Sequence, residues 1–139
     1  MRGLQGNIEE RNKIVDLARE FEVAVITTYS LGGPWGFPNL PSDLAGLDVL
    51  EGDIPIIFSH ASFLTAKDRD LLRQNNHYIS ITPESEMHYG QTHPHSYLIQ
   101  DQAALGVNTH FAFSTDILTQ ARIWLQSTRY RLFNQVLET

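Results

Sequence analysis

Acidic and histidine side chains are concentrated in the sequence SITPESEMHYGQTHPHSYL, residues 80–98. Three of the chain's six histidines lie there together with two glutamates; the residues are Glu84, Glu86, His88, His93 and His95. Imidazole and carboxylate groups can bind zinc or iron, and they can transfer protons near neutral pH. The stretch overlaps the end of the apolar run HYISIT, which indicates that a loop following a β-strand positions these groups.

Four apolar runs rich in β-branched residues predict four β-strands, at residues 22–28, 54–59, 77–82 and 109–114. Helical patterns alternate with them, at residues 7–21, 42–50, 66–76, 96–105 and 117–137. Thr65 is positioned to cap the third of these helices. The alternation predicts an α/β fold of parallel βα units, in one domain covering residues 1–139.

The carboxyl ends of parallel strands meet at one edge of a sheet, where α/β proteins build their sites. Polar residues follow all four predicted strands at this edge: Tyr29 and Ser30, then His60, then Glu84, Glu86 and His88, and last Asp116. We therefore expect His60 and Asp116 to face the same cavity. His77 and His110 begin strands instead, so we expect them at the opposite edge with structural roles.

Each of these residues also has an ordinary structural interpretation. His60 suits a core histidine bonded to a carbonyl group. Asp116, in the sequence STD before a helix, suits a helix cap. Glu84 and Glu86 suit solvated loop carboxylates, and histidines that flank a proline, as His93 and His95 do, are typical of surface loops.

Composition disfavours several classes of function. The 139 residues have a formal net charge of −6, and their ten basic residues are scattered, which is not typical of a nucleic-acid surface. No apolar run is long enough to span a membrane. Cysteine is absent, so disulfides and thiolate metal ligands are excluded, and a cytoplasmic location is the simplest expectation.

Three segments resemble the C-terminal half of the metal-dependent amidohydrolase superfamily: FSHASFLTAKDRDLL, TPESEMHYGQTHP and ALGVNTHFAFSTD. The nearest branch is similar to the aminohydrolases that act on cytosine, methylthioadenosine and chlorotriazine rings. The resemblance implies half of a TIM barrel, corresponding to strands five to eight. It implies that His60 matches the histidine that ends strand six, and that Pro83 to Glu86 with Gly90 match the motif after strand seven. Asp116 matches the metal-binding aspartate of strand eight, in a family motif of the form G-T-D or G-x-D.

The chain also departs from the family pattern. The H-x-H metal pair of the first strand has no counterpart, and Tyr29 and Ser30 stand where the fifth strand should end in a metal-binding histidine. The catalytic glutamate that follows this histidine is missing, and Ser114 replaces the usual glycine before Asp116.

The sequence leaves two functions open. In the first, the chain is a metal-dependent hydrolase that deaminates a nitrogen heterocycle or hydrolyses its C–N bonds, as a homo-oligomer or together with a missing barrel half. The resemblance implies catalytic roles for His60 and Asp116, substrate contacts from Glu84, Glu86 and His88, and zinc or iron bound by Asp116 and His60. In the second, the chain is a truncated, inactive relative that serves as a binding or interaction module. A flavodoxin-like binding domain has less support, because SLGGPWG places Pro34 and Trp35 where a phosphate loop needs small residues.

Overall fold

The computed structural model describes residues 8–35 and 39–138, and it contains one four-stranded sheet. The strands, in sequence and spatial order, are β1 (Ile26–Leu31), β2 (Ile56–Ser62), β3 (Tyr78–Ile81) and β4 (Ala103–Leu105). All neighbouring strands are parallel. The predicted α/β class with a parallel sheet is therefore confirmed.

The prediction for the fourth strand is wrong. Residues 109–114 form turns, and Phe111 in their middle is 89% exposed. The strand lies earlier, at Ala103–Leu105, where it pairs with Ile79–Ile81 of β3. The predicted helix at 96–105 is replaced by this strand and by two short 3₁₀ helices, Ser96–Leu98 and Gln100–Gln102. His110 therefore follows β4 in an exposed turn and does not begin a strand, so its expected place at the opposite edge is also wrong.

In the described part of the chain, five α-helices accompany the sheet: α1 (Ile8–Glu20), α2 (Pro41–Leu44), α3 (Ala66–Gln74), α4 (Pro83–His88) and α5 (Ile117–Leu137). Thr65 caps α3 as predicted, since its hydroxyl accepts a hydrogen bond from the Asp68 amide while Asp68 accepts one from the Thr65 amide. Helix α2 is shorter than predicted, and α4 occupies residues that were predicted to form a loop. No described helix is both long and apolar enough to cross a bilayer.

The hydrophobic core lies on one face of the sheet. Burial alternates along the strands, so that Ile26, Ile56, Phe58, Ile79 and Ile81 point into the core. Helices and loops contribute most of the other buried apolar side chains, among them Val15, Ala18, Leu44, Leu50, Leu64, Leu72 and Ile99. The alternate positions on the strands are exposed or half-buried: Thr27, Tyr29, Ile57, Ser59, Tyr78, Ser80 and Ala104. An all-parallel sheet normally has both faces covered, and here one face remains largely open.

His77 has the structural role that was expected of it. It precedes β3 and is 1% exposed. Its Nδ1 accepts a hydrogen bond from the Ile56 amide at 3.2 Å, and its Nε2 donates one to the Leu50 carbonyl at 2.9 Å. Burial lowers the pKa of His77 below its usual 6.5, against the opposing effects of Leu50 and Glu51. A neutral imidazole therefore joins the start of β2 to the segment before it.

Candidate functional site

His60 lies at the carboxyl end of β2, where the backbone leaves regular strand geometry. His60 and Ala61 have φ values of 69° and 48°, and the register between β1 and β2 shifts at the same level. Such left-handed conformations are uncommon for residues other than glycine and are often found at functional sites. The His60 ring stacks on Tyr29 of β1, with ring centroids 5.5 Å apart and planes 21° apart.

Glu86 of α4 is the centre of a buried polar cluster. Its side chain is 1% exposed, and Oε1 lies 3.1 Å from Nδ1 of His60. The same oxygen accepts hydrogen bonds from the Thr82 amide at 2.8 Å and the Thr82 hydroxyl at 3.1 Å. Oε2 lies 2.6 Å from Nε2 of His93. Because α4 begins directly after β3, the Glu86 side chain reaches back to Thr82 and to the end of β2.

The two imidazoles decide the charge of Glu86. Burial alone would raise the pKa of this carboxyl, but hydrogen bonds from His60 and His93, the charge of His93 and the Thr82 amide outweigh it. The pKa falls from 4.5 to about 2. Glu86 is therefore ionised at neutral pH, and an ionised carboxylate only accepts hydrogen bonds. Nδ1 of His60 and Nε2 of His93 must each carry a proton.

Hydroxyl groups extend the cluster toward the end of β4. The Thr82 hydroxyl lies 3.0 Å from the Ser85 hydroxyl, and the side-chain amide of Asn108 donates a hydrogen bond to Ser85 at 3.2 Å. On the other side, Nδ1 of His93 lies 3.3 Å from the Ser96 hydroxyl. The cluster consequently links His60, near the end of β2, to residues that follow β3 and β4.

The structure brings together only two of the predicted site residues, His60 and Glu86. Glu84 is half-buried elsewhere, where its Oε2 accepts hydrogen bonds from the Ser114 amide at 2.8 Å and the Gln120 side chain at 2.9 Å. His88 is exposed, and its ring contacts Tyr89 and Phe113 edge-on. Glu84 thus holds the start of α5 against α4. Glu86 was predicted to contact substrate, but both of its carboxylate oxygens accept hydrogen bonds from protein groups.

Asp116 caps α5. Its carboxylate accepts hydrogen bonds from the amides of Leu118 and Thr119 at 3.1 and 3.2 Å and from the Thr119 hydroxyl at 2.8 Å. These bonds, chiefly the one from the Thr119 side chain, lower the pKa of the exposed Asp116 carboxyl. The ordinary interpretation of the sequence STD as a cap therefore describes its hydrogen bonding, and neither carboxylate oxygen contacts His60.

The side chains do not fit the metal that the family resemblance implies. Within residues 8–35 and 39–138, no three His, Cys, Asp or Glu side chains are arranged to hold a metal ion. A catalytic zinc normally needs about three protein ligands. In His60, the nitrogen that contacts protein groups is Nδ1, and it faces Glu86 and Thr82.

Sequence reasoning missed His93, which was interpreted as a surface loop residue. Its side chain is only 9% exposed, and its ring contacts Trp124 edge-on with centroids 5.4 Å apart. It also missed Thr82, Ser85 and Asn108. One signal was available in the sequence. His93 lies seven residues after Glu86, so a loop that folds back can bring the imidazole to the carboxylate.

A cleft of about 450 Å³ opens beside the cluster. Glu86 and His93 form part of its wall, and α5 forms the opposite wall through Trp124 and Arg131. Fold and site together describe an α/β protein with a buried carboxylate between two imidazoles at the carboxyl edge of its sheet. Comparisons of the chain with protein-family models, with curated proteins and with solved structures each found no match.

Proposed function

We propose that this chain is part of an amidohydrolase-type hydrolase that cleaves a C–N bond of a nitrogen heterocycle. The observation that supports it most directly is the His60–Glu86 pair, 3.1 Å apart at the carboxyl edge of a parallel sheet. Catalytic sites of α/β proteins are built at this edge. The three segments that resemble the superfamily contain both residues.

In this proposal His60 acts on the substrate and Glu86 positions it. The ionised Glu86 holds the proton on Nδ1 of His60, so Nε2 is the nitrogen that faces a ligand. In the neutral ring Nε2 accepts a proton, and in the imidazolium it donates one. His60 can thus alternate between general base and general acid.

Hydrolytic deamination adds water to the ring carbon that bears the amino group and then expels ammonia. His60 removes one proton as water adds to the C=N bond, and the resulting imidazolium returns it to the departing nitrogen. The second proton of the water passes from the hydroxyl group to the ring nitrogen as the carbonyl forms. Tyr29, stacked on His60 and 46% exposed, supplies an aromatic surface beside this point. The other groups needed for activation of water would come from outside the described residues.

We further propose that the sheet is strands five to eight of a barrel. The outer strands β1 and β4 each pair on one side only, and one sheet face is open. A second copy of the chain, or another polypeptide, would complete the barrel.

The family motif G-x-D fits the segment after β4 better than it fits Asp116, since Gly106, Val107 and Asn108 follow that strand directly. An asparagine then stands where the family has its metal-binding aspartate.

A second candidate function is ligand binding without turnover. It is favoured by the hydrogen bonding of Asp116 to α5 and by the asparagine after β4. Under this alternative, the cluster around Glu86 stabilises the edge of the sheet, and the site binds a ring compound without converting it.

Release of ammonia from cytosine, adenosine and triazine-type substrates tests the proposal. Turnover that is lost in His60→Gln and kept in His110→Gln would support it, because His110 is exposed in a turn and serves as the matched histidine control. Thermal unfolding of both variants verifies that they fold. Saturable binding of these rings that depends on His60, without ammonia release, would instead support the binding module. Turnover of equal rate in His60→Gln and the unchanged chain would exclude the assigned role.

A further inference from the structure

The cleft beside Glu86 has the size of a small-molecule site. Its volume of about 450 Å³ falls within the range of about 300 to 1,000 Å³ that is typical of ligand pockets. One wall consists of α4 and the loop at residues 91–97, and the other is the C-terminal two-thirds of α5. Nothing in the proposed chemistry of His60 uses this cleft.

Aromatic side chains give the cleft flat surfaces. Trp124, Tyr97 and Tyr130 line it. The edge-on contact between His93 and Trp124, with planes 81° apart, fixes the orientation of the indole ring. Aromatic rings pack favourably against other planar rings in offset or edge-to-face arrangements. The cleft is therefore suited to a planar ligand.

Arg131 gives the cleft a positive charge that pairs with none of the described residues. It is half-buried, and within the described residues it makes no hydrogen bond or ion pair. It is the only lysine or arginine among the described residues that line the cleft, whereas Glu138 and the ionised Glu86 also line it. An arginine guanidinium binds a carboxylate through two parallel hydrogen bonds. The single charge of a carboxylate matches one guanidinium. A doubly charged phosphate would be repelled more strongly by the two glutamates that also line the cleft.

Gln91 adds an unpartnered hydrogen-bond acceptor. The residue is 9% exposed, it lines the cleft, and its buried side-chain oxygen has no hydrogen-bond partner among the described residues. A buried polar atom without a partner costs free energy, so such an atom in a native protein calls for an explanation. This oxygen has almost no accessible surface, so the Gln91 side chain must turn toward the cleft before a ring N–H group of a ligand can donate to it.

We propose that this cleft binds a planar nitrogen heterocycle that bears a carboxylate group. The carboxylate pairs with Arg131, the ring packs against Trp124, and a ring N–H group donates to Gln91. Binding here does not depend on the proposed hydrolysis, because none of these three residues takes part in it.

Calorimetric titration with two probes tests the proposal: orotate, and uracil, which is the same ring without the carboxylate. Orotate should bind saturably and more tightly than uracil. Arg131→Gln should weaken orotate binding by about tenfold or more, since it removes a charged hydrogen bond, and should leave uracil binding unchanged. Arg129→Gln is the matched control, because Arg129 is exposed on the same helix and does not line the cleft.

A second measurement locates the ligand. In a Trp35→Phe background, Trp124 is the remaining tryptophan, so orotate should change its fluorescence with the same dissociation constant as in calorimetry. Three results would each overturn the proposal: no saturable orotate binding, equal affinities for orotate and uracil, or equal losses in Arg131→Gln and Arg129→Gln. Since binding alone is measured, a failure to release ammonia from any substrate has no bearing on the outcome.

Discussion

Replacement of Glu86 by glutamine should destabilise the fold by a measurable and pH-dependent amount. Glutamine keeps the shape of the side chain and resembles the protonated carboxyl, so Glu86→Gln removes the charge while leaving the core packed. The side chain is 1% exposed and lies 3.1 Å from His60 and 2.6 Å from His93. Both imidazole protons would then face an uncharged group.

The magnitude follows from the pKa. A pKa difference of one corresponds to about 1.4 kcal/mol, so the fall from 4.5 to about 2 gives the ionised form about 3 kcal/mol of additional folding free energy. Because the folded pKa is lowered, this stability is fully present above pH 4.5 and is lost as pH falls from 4.5 toward 2. Glu86→Gln should therefore be less stable than the unchanged chain by about 3 kcal/mol at pH 7, and the difference should narrow through this acidic range.

Urea unfolding at a series of pH values measures both effects. Glu9→Gln is the control with the same change of charge, since Glu9 forms an exposed ion pair with Lys13 and its removal should cost only a small fraction of that amount. An unfolding free energy of Glu86→Gln equal to that of Glu9→Gln at pH 7 would refute the assignment of an ionised Glu86 held by two imidazoles. A difference that stays constant from pH 7 to pH 2 would refute the pKa argument.

Three further outcomes are expected. The stability provided by neutral His77 should be complete above pH 6.5 and should decline as pH falls below this value, because burial lowers the folded pKa of His77. In denaturant titrations, the unfolding free energy of His77→Gln should decline less steeply with falling pH than that of the unchanged chain. An equal decline in both would contradict this expectation. After loading and dialysis, the purified chain should retain far less than one zinc per chain by atomic absorption, and near-stoichiometric zinc with turnover abolished by Asp116→Asn would overturn this expectation. The open edges of β1 and β4 should make the chain self-associate, which a stable monomer in light scattering at high concentration, without apolar dye binding, would disprove.

The class of the fold and the approximate places of three of its four strands could be predicted from the sequence. The first strand, β1, begins and ends later than the predicted 22–28, so Tyr29 and Ser30 lie within it and do not follow it. Runs such as IPIIFS are rich in β-branched residues and have strand length, so their local preference agrees with their final state. The cap at Thr65 depends on residues only three apart, and such local hydrogen bonds are encoded directly in the sequence. The place of His60 at a carboxyl edge followed from strand direction alone.

The fourth strand was decided by tertiary structure. Ala103–Leu105 is a strand only because β3 offers its edge, and three residues of small or common type give little local signal. Residues 109–114 contain more strand-forming residues, yet they find no neighbouring strand and form turns in which the Ser114 amide bonds to Glu84. Pairing with a neighbour therefore outweighed intrinsic preference.

The same reason applies to the site. The sequence placed imidazoles and carboxylates at one edge, but every one of them could have been solvated, bound to metal or used as a cap. Only the folded chain brings His93 back to Glu86 and turns Asp116 toward the amides of α5. Distances between groups on different elements depend on how loops return and helices pack, and a single sequence does not contain them in local form. Residue type therefore determined which chemical groups were available, and tertiary packing decided which of these groups lie together in one site.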